Sequence, residues 1–242
     1  MQDSVLITLG LGFALGLKHA TEADHLAAVS TIVSERRTIR ASAVVGALWG
    51  LGHTASLLVA GVFVIALGFV IPERVASVLE LGVAIMIIAL GSRILHLAFR
   101  GERGTHIHAH IHGGRPHVHL HFHDEQDAHS PNSTHEAAHT GFSGWRPLLI
   151  GMLHGLAGSA ALTLFILAGV ARNGSTALGL AYLAVFGVGS IGGMVLMSSL
   201  IAIPFSLSSR FSKGMPTALR LITGVASTAF GCFYAWSVLN RS

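Results

Sequence analysis

Five ionisable side chains lie close together in an otherwise apolar stretch near the N-terminus. Lys18, His19, Glu22, Asp24 and His25 occupy eight consecutive positions of the chain. Imidazole and carboxylate groups together suit first-row divalent metal ions. The structural alternative is an internal salt bridge, such as Lys18 with Glu22, that only holds helices together. Because two histidines and two carboxylates occur in one short segment, we favour a metal-binding role.

The spacing of these residues leaves the role of Asp24 open. On a regular α-helix, His19, Glu22 and His25 share an arc of about 120°, because each three-residue step drifts by about 60°. Asp24 then points about 140° away from His19. Either the helix is distorted here, or Asp24 holds an imidazole that binds the metal.

Two more histidines, His53 and His154, lie in other apolar stretches. The depth of each histidine can be counted at about 1.5 Å per residue from the end of its stretch that lies on the more basic side. His53 then lies about 18 Å deep and His19 about 21 Å deep, while His25 and His154 both lie about 11 Å deep. A lone histidine in an apolar helix is more often an interhelical hydrogen-bonding group. Two pairs at two matched depths instead predict that His19 faces His53 and that His154 approaches the same cavity. Lys18 should turn away, towards Glu22 or a carbonyl, since an ammonium beside the histidines would repel a cation.

The elements that position these residues are long apolar segments. Of 242 residues, 52% are hydrophobic and 11% charged, against about 25% charged in soluble domains. Six stretches can each cross about 30 Å of hydrocarbon as a helix. They are Val5–Val33, Ala41–Val70, Val75–Phe99, Pro147–Ala171, Ser175–Pro204 and Pro216–Leu239. We therefore predict an all-α fold, a polytopic membrane helix bundle with six transmembrane helices.

Basic residues predict the orientation of this bundle. With six spans, one side of the membrane receives Arg36, Arg37, Arg40, Arg93, Arg100, Arg103, Arg115, Arg146, Arg210, Lys213 and Arg220. The other side receives Arg74, Arg172 and Arg241. By the positive-inside rule, the first side is cytoplasmic and both termini lie outside.

Residues 100–146 differ in composition from the rest of the chain. They are polar and carry His106, His108, His110, His112, His117, His119, His121, His123 and three further histidines. We predict a disordered cytoplasmic loop that buffers metal ions. A linker without a role and a part of the permeation path are the alternatives.

Two short motifs recur along the chain. Gly16–His19 matches Gly151–His154, and Gly50–His53 matches Gly187–Ser190. A three-span unit re-enters the membrane from the opposite face, so these matches predict a 3+3 inverted repeat, with substrate bound between the halves. Its parts are residues 1–99, the His-rich loop 100–146, and residues 147–242.

Several of these segments resemble the nickel/cobalt transporter (NiCoT) family. Leu15–Val29 resembles its His-x4-Asp-His signature, and Leu51–Thr54 its next motif. His154–Ala160 and Gly187–Met194 resemble the shorter urease-accessory-type nickel permeases of the same superfamily. The resemblance implies a permease for Ni²⁺ or Co²⁺, with His19, Asp24, His25 and His53 near the path. His154 and Ser190 stand where longer members carry acidic residues.

The resulting prediction is a bacterial inner-membrane permease that takes up a divalent metal as its substrate and holds no prosthetic group. The metal ligands are His19, Asp24, His25, His53 and His154, with Glu22, Lys18 and Ser190 in supporting roles. The expected partners are the metal ion, the lipid bilayer and a cytoplasmic metallochaperone for urease or hydrogenase maturation, without nucleic acid. The alternatives are an exporter of nickel, cobalt or zinc with the same fold, and a membrane metalloenzyme.

Overall fold

The computed structural model describes residues 2–36, 38–67, 72–100, 105–112, 115–122, 144–157, 176–211 and 214–241. These ranges contain seven helices: α1 Gln2–His19, α2 Ala23–Val33, α3 Ile39–Leu67, α4 Glu73–Arg100, α5 Arg146–Gly155, α6 Thr176–Phe211 and α7 Met215–Leu239. A two-stranded hairpin, β1 Thr105–His112 and β2 Arg115–Phe122, follows α4.

The long helices confirm the prediction of an all-α, polytopic membrane helix bundle. In the described ranges α3, α4, α6 and α7 are long and apolar enough to cross a membrane. They correspond to the predicted second, third, fifth and sixth spans. The chain is therefore a multi-pass membrane protein. The count of six spans stays a prediction, because the predicted fourth span continues past α5 into residues 158–175, outside the described residues.

The predicted first span, Val5–Val33, is not one continuous helix. It is divided into α1, which ends at His19, and α2, which begins at Ala23. Between them Glu22 is extended, with ψ of 149°. The Thr21 hydroxyl and the Thr21 backbone N–H both donate to the Lys18 carbonyl. The helix can break inside the bundle because the carbonyls freed by the break find local donors, as a low-dielectric environment requires.

The predicted end of the fifth span, Pro204, is also corrected. Helix α6 continues through Pro204 to Phe211. Proline removes one backbone donor from a helix interior, and transmembrane helices tolerate this loss more readily than soluble ones do.

Helix α2 lies in the middle of the bundle. Helices α1 and α3 pack on α6, α5 packs on α3, and α4 packs on α7. Helix α2 contacts α3, α4, α6 and α7. Its residues Ala28, Val29 and Val33 belong to the main core cluster, together with Trp49 of α3 and Ile87 of α4. The segment that carries Asp24 and His25 is therefore enclosed by helices from both halves of the chain.

Glycines bring each half against the backbone of the other at repeat-related positions. A Cβ on Gly16 of α1 would collide with the carbonyl oxygen of Phe186 in α6, and a Cβ on Gly151 of α5 with that of Trp49 in α3. Gly16 and Gly151 are 135 positions apart, and Trp49 and Phe186 are 137 apart. These are the two offsets of the motif repeat.

A second pair of contacts follows the same offsets. Gly52 of α3 meets the carbonyl of Leu148 in α5, and Gly189 of α6 meets that of Phe13 in α1. Glycines of each half therefore pack against backbone carbonyls of the other half at matching positions. An approximate two-fold relation between the halves would produce this pattern. Such contacts support the repeat on which the 3+3 prediction depends.

The hairpin occupies part of the predicted His-rich loop. Strands β1 and β2 are antiparallel, with His106 opposite His121, His108 opposite His119, and His110 opposite His117. Residues 101–104, 113–114 and 123–143, including His123, lie outside the described residues. The predicted disorder and cytoplasmic location of the loop stay predictions.

The contact at Gly151 yields a test of the packing. We expect Gly151→Ala to lower the free energy of unfolding by about 1–3 kcal/mol, because the added methyl group collides with the Trp49 backbone. The measurement is the midpoint of thermal unfolding in detergent. The control is Gly82→Ala in α4, where a Cβ meets nothing within 4 Å and alanine favours the helix. Equal midpoints for the two variants would contradict the close approach of α5 to α3.

Candidate metal centre

Four histidines from four helices meet in the interior of the bundle. His19 ends α1, His25 lies in the first turn of α2, His53 lies within α3, and His154 lies in the last turn of α5. Their exposed fractions are 5%, 2%, 0% and 0%. Residues from both halves of the chain therefore form one enclosed cluster of imidazoles, which includes every histidine predicted as a metal ligand.

His19 and His53 form the first contact of this cluster. Their Nε2 atoms are 3.0 Å apart, and their ring centroids are 5.0 Å apart. The prediction that these two rings face one another is confirmed. On the other side of the His19 ring, Nδ1 lies 3.1 Å from a carboxylate oxygen of Glu22. A carboxylate accepts the Nδ1–H, which leaves the lone pair of His19 Nε2 directed at His53.

Asp24 forms the second contact and joins the two halves. Its Oδ1 accepts a hydrogen bond from the His25 backbone N–H and lies 3.0 Å from His25 Nδ1. Its Oδ2 lies 3.0 Å from His154 Nε2. Both possibilities left open by the sequence occur together: the helix is broken, and Asp24 holds imidazoles.

The bonds to Asp24 also determine which ring nitrogens remain available. With His25 Nδ1 and His154 Nε2 donating to the carboxylate, His25 Nε2 and His154 Nδ1 carry the lone pairs. Both of these atoms are buried and lack a hydrogen-bond partner among the described residues. A buried imidazole nitrogen without a partner is a ready ligand for a metal ion.

Two sets of three ligand groups result, and they share one histidine. His19, His25 and His53 can offer ligand atoms within 4.8 Å of one another, and so can Asp24, His25 and His154. The His25 ring is 4.5 Å from His19 and 4.1 Å from His154, between centroids. Imidazole nitrogens on one metal ion lie about 3–4 Å apart. Small side-chain movements would therefore complete either set.

The supporting residues lie in different environments. Lys18 is exposed, so it turns away from the histidines as predicted. No ion pair joins Lys18 to Glu22 in the described part of the chain, where the Glu22 carboxylate lies beside the His19 ring instead. Ser190 is fully buried on α6, and its Oγ has no hydrogen-bond partner in the described part of the chain.

Two aromatic residues that sequence reasoning missed enclose the cluster. Trp49 stacks on His25 with centroids 6.2 Å apart and also contacts His154. Phe186 lies 5.6 Å from His19. Trp49 and Phe186 each directly precede the repeated glycine motif, and this shared position was the signal that could have identified them.

The centre is closed and suited to a cation. A cavity of about 10 Å³ lies beside His25, Trp49 and Met194, so a hydrated ion does not fit without movement. Neutral imidazoles supply lone pairs, and the Asp24 and Glu22 carboxylates offset part of a divalent charge. Such a donor set suits a first-row divalent metal.

Comparison with known proteins agrees with a site for a first-row divalent metal. The model of the NicO family, described as high-affinity nickel-transport protein, matches residues 5–214. The chain is 37% identical over 238 residues to the urease accessory protein UreH of Bacillus sp. strain TB-90, covering 98% of this chain and 94% of that protein. It is 31% identical over 110 residues to the high-affinity nickel transport protein of Cupriavidus necator, covering 41% of this chain and 31% of that protein. No solved structure matches the chain.

The geometry at Asp24 yields a test of its role. We expect Asp24→Asn to weaken Ni²⁺ binding about 10–100-fold, because the neutral amide orients the His25 and His154 rings less well and carries no charge to offset the ion. The measurement is the Kd for Ni²⁺ by titration calorimetry on the purified protein. The control is Glu73→Gln, an exposed residue at the start of α4. An unchanged Kd in Asp24→Asn would exclude any role of Asp24 in the metal site.

Proposed function

This chain belongs to the NicO family of high-affinity nickel-transport proteins, and we propose that it is a permease that moves Ni²⁺ across the bacterial plasma membrane. The observation that carries the proposal is the enclosed cluster of four imidazoles and Asp24 at a break in the first membrane helix. Irregular backbone at membrane depth occurs where it lines a substrate site. In this role the metal is cargo, and the protein catalyses no covalent reaction.

The two sets of ligand groups act as successive binding positions for the ion. His19, His53 and His25 hold the ion at one position, and His25, Asp24 and His154 at the other. Because His25 belongs to both sets, an ion passing between them keeps one imidazole ligand throughout. Transport requires sites that bind well enough to select the ion and weakly enough to release it. Two overlapping three-ligand positions meet that need better than one complete four-ligand site.

Access to the centre requires the halves to move. The described structure is closed around the histidines, so we assign it to an occluded state. In a 3+3 inverted repeat, one half rocks against the other and exposes the site to each side in turn. The reciprocal glycine contacts between α1 and α6 and between α5 and α3 are the surfaces along which this motion would occur. The break between α1 and α2 provides a flexible point beside the site.

Uptake into the cytoplasm is the direction we propose. The distribution of basic residues orients the His-rich loop to the cytoplasm and both termini outside. A relative that matches 98% of this chain is named a urease accessory protein, a name that fits delivery of nickel to a urease inside the cell. We therefore propose a cytoplasmic metallochaperone for urease or hydrogenase maturation as the recipient. Co²⁺ is a second substrate, since imidazole and carboxylate ligands suit both ions.

The His-rich loop serves this function as a cytoplasmic metal buffer. The hairpin register places His106, His108 and His110 directly opposite His121, His119 and His117. The loop would hold metal after it leaves the bundle, without forming part of the path through it.

Substitution of the central histidines tests the proposed path. We expect His19→Ala and His25→Ala to reduce uptake of radiolabelled Ni²⁺ to background in cells, while membrane insertion is retained, because each variant removes a ligand from the enclosed site. Excess unlabelled Co²⁺ should compete with uptake more strongly than Zn²⁺. The matched control is His96→Ala, an exposed histidine on α4. Near-normal uptake by either central variant at low metal would show that its histidine is not a required ligand.

The same assay separates the alternatives. Cells preloaded with nickel would lose it faster on expression of an exporter, and metal-dependent turnover of a substrate would indicate an enzyme. Loss of uptake in the central variants without either of these results is the outcome that the proposed permease requires.

Deletion of Thr105–His139 tests the role of the loop. We expect the variant to retain measurable Ni²⁺ uptake, because the proposed ligands lie on α1, α2, α3 and α5 and none belongs to the deleted segment. We also expect it to accumulate less nickel at saturation. The control is a replacement of the same segment by a Gly/Ser linker of equal length. Complete loss of uptake in a well-expressed deletion would place the loop on the obligatory path.

A further inference from the structure

A second cavity lies away from the histidine cluster, where α2 ends, α4 ends and α5 begins. Its volume is about 440 Å³, which is within the range of small-molecule sites. Its polar lining is Thr31, Glu35, Arg36, Arg93 and Arg146. Nothing in the proposed transport mechanism uses these residues.

Positive charge dominates this cavity. Three guanidinium groups line it against one carboxylate, and that carboxylate, Glu35, is paired with Arg93. Arg36 and Arg146 remain without a counter-charge in the lining. A free divalent cation would be repelled by this balance, so the cavity is a poor route for the metal. An anion is the ligand that it favours.

Two further features point to an anion. The Nε of Arg36 is buried and has no hydrogen-bond partner in the part of the chain that the structure describes. A buried guanidinium donor is costly to leave unpaired. The N-terminal end of α5, at Arg146 and Pro147, also borders the cavity, and the positive end of a helix dipole favours negative charge.

The rest of the lining is aliphatic. Ile32 of α2, Leu90 and Ile94 of α4 and Ile150 of α5 complete the cavity. A small inorganic anion would leave this apolar surface without a partner. A phospholipid would cover it with the first methylenes of an acyl chain while its phosphate meets the arginines. The charge and the apolar lining thus match the two ends of one lipid molecule.

We propose that this cavity is a binding site for the phosphate headgroup of an anionic phospholipid, held by Arg36 and Arg146. Basic pockets between transmembrane helices bind such headgroups. The site borders the end of α2 and the start of α5, the helices that carry Asp24, His25 and His154. A bound lipid would therefore hold together two of the helices that form the metal centre, one from each half.

Lipid binding can be measured on the purified full-length protein in neutral detergent. The probes are phosphatidylglycerol, phosphatidylcholine with the same acyl chains, and inorganic phosphate. We expect phosphatidylglycerol to raise the Tm and to remain bound in native mass spectrometry, with the other two probes giving little shift. In the double variant Arg36→Gln/Arg146→Gln we expect the apparent affinity for phosphatidylglycerol to fall by about tenfold or more, because two charge-assisted contacts are lost.

Controls keep each outcome decisive. Arg74→Gln changes an exposed arginine at the other end of α4 and should leave lipid binding unchanged. If the double variant is poorly folded, Arg146→Gln alone, at an exposed position, should still weaken binding. Equal effects of the two lipids, or equal losses in the Arg74 and Arg146 variants, would overturn the proposal. A full Tm shift from inorganic phosphate alone would overturn it in favour of a free-phosphate site.

Discussion

The hydrogen bonds of one carboxylate connect the structure to its proposed function. Asp24 contacts His25 beside it in α2 and His154 from the second half of the chain. The contact to His154 is possible because the chain breaks between His19 and Ala23; on a continuous helix Asp24 would point away from the cluster. The break, the burial of α2 and the union of the two halves therefore depend on one another.

Burial strengthens these interactions, and it also makes a charged or polar group without a partner costly. A charged side chain at the centre of a bilayer costs about 2.5–3.5 kcal/mol even on lenient scales. Asp24 offsets this cost by accepting from two imidazoles and a backbone N–H, and Glu22 is paired with His19. The cluster nitrogens without a hydrogen-bond partner in the described part of the chain, His25 Nε2, His53 Nδ1 and His154 Nδ1, are costly to bury unpaired. A divalent metal ion would give these nitrogens a partner, so the cost of burying them unpaired favours ion binding.

The two halves are alike in packing and unlike in chemistry. Close backbone contacts at Gly16 and Gly151 obey the repeat offsets, because glycine allows helices to approach without a Cβ in the way. At the position that corresponds to His53, however, the second half has the buried Ser190. Matched contacts of this kind allow one packed arrangement to be exchanged for another, while the two overlapping sets of ligands stay near the centre. This combination is what alternating access to one site requires.

The sequence by itself determined the helical membrane class, the long helices and the identity of the clustered histidines, because apolar length and ionisable residues in lipid are strong local signals. It also predicted that His19 faces His53, since depth along a helix follows from residue count. It did not determine the break after His19, the contacts of Asp24 or the enclosure by Trp49 and Phe186. These depend on which helices pack together, and a broken helix becomes stable only when tertiary neighbours and local donors satisfy its freed backbone and buried charge. The tertiary structure decided them for that reason.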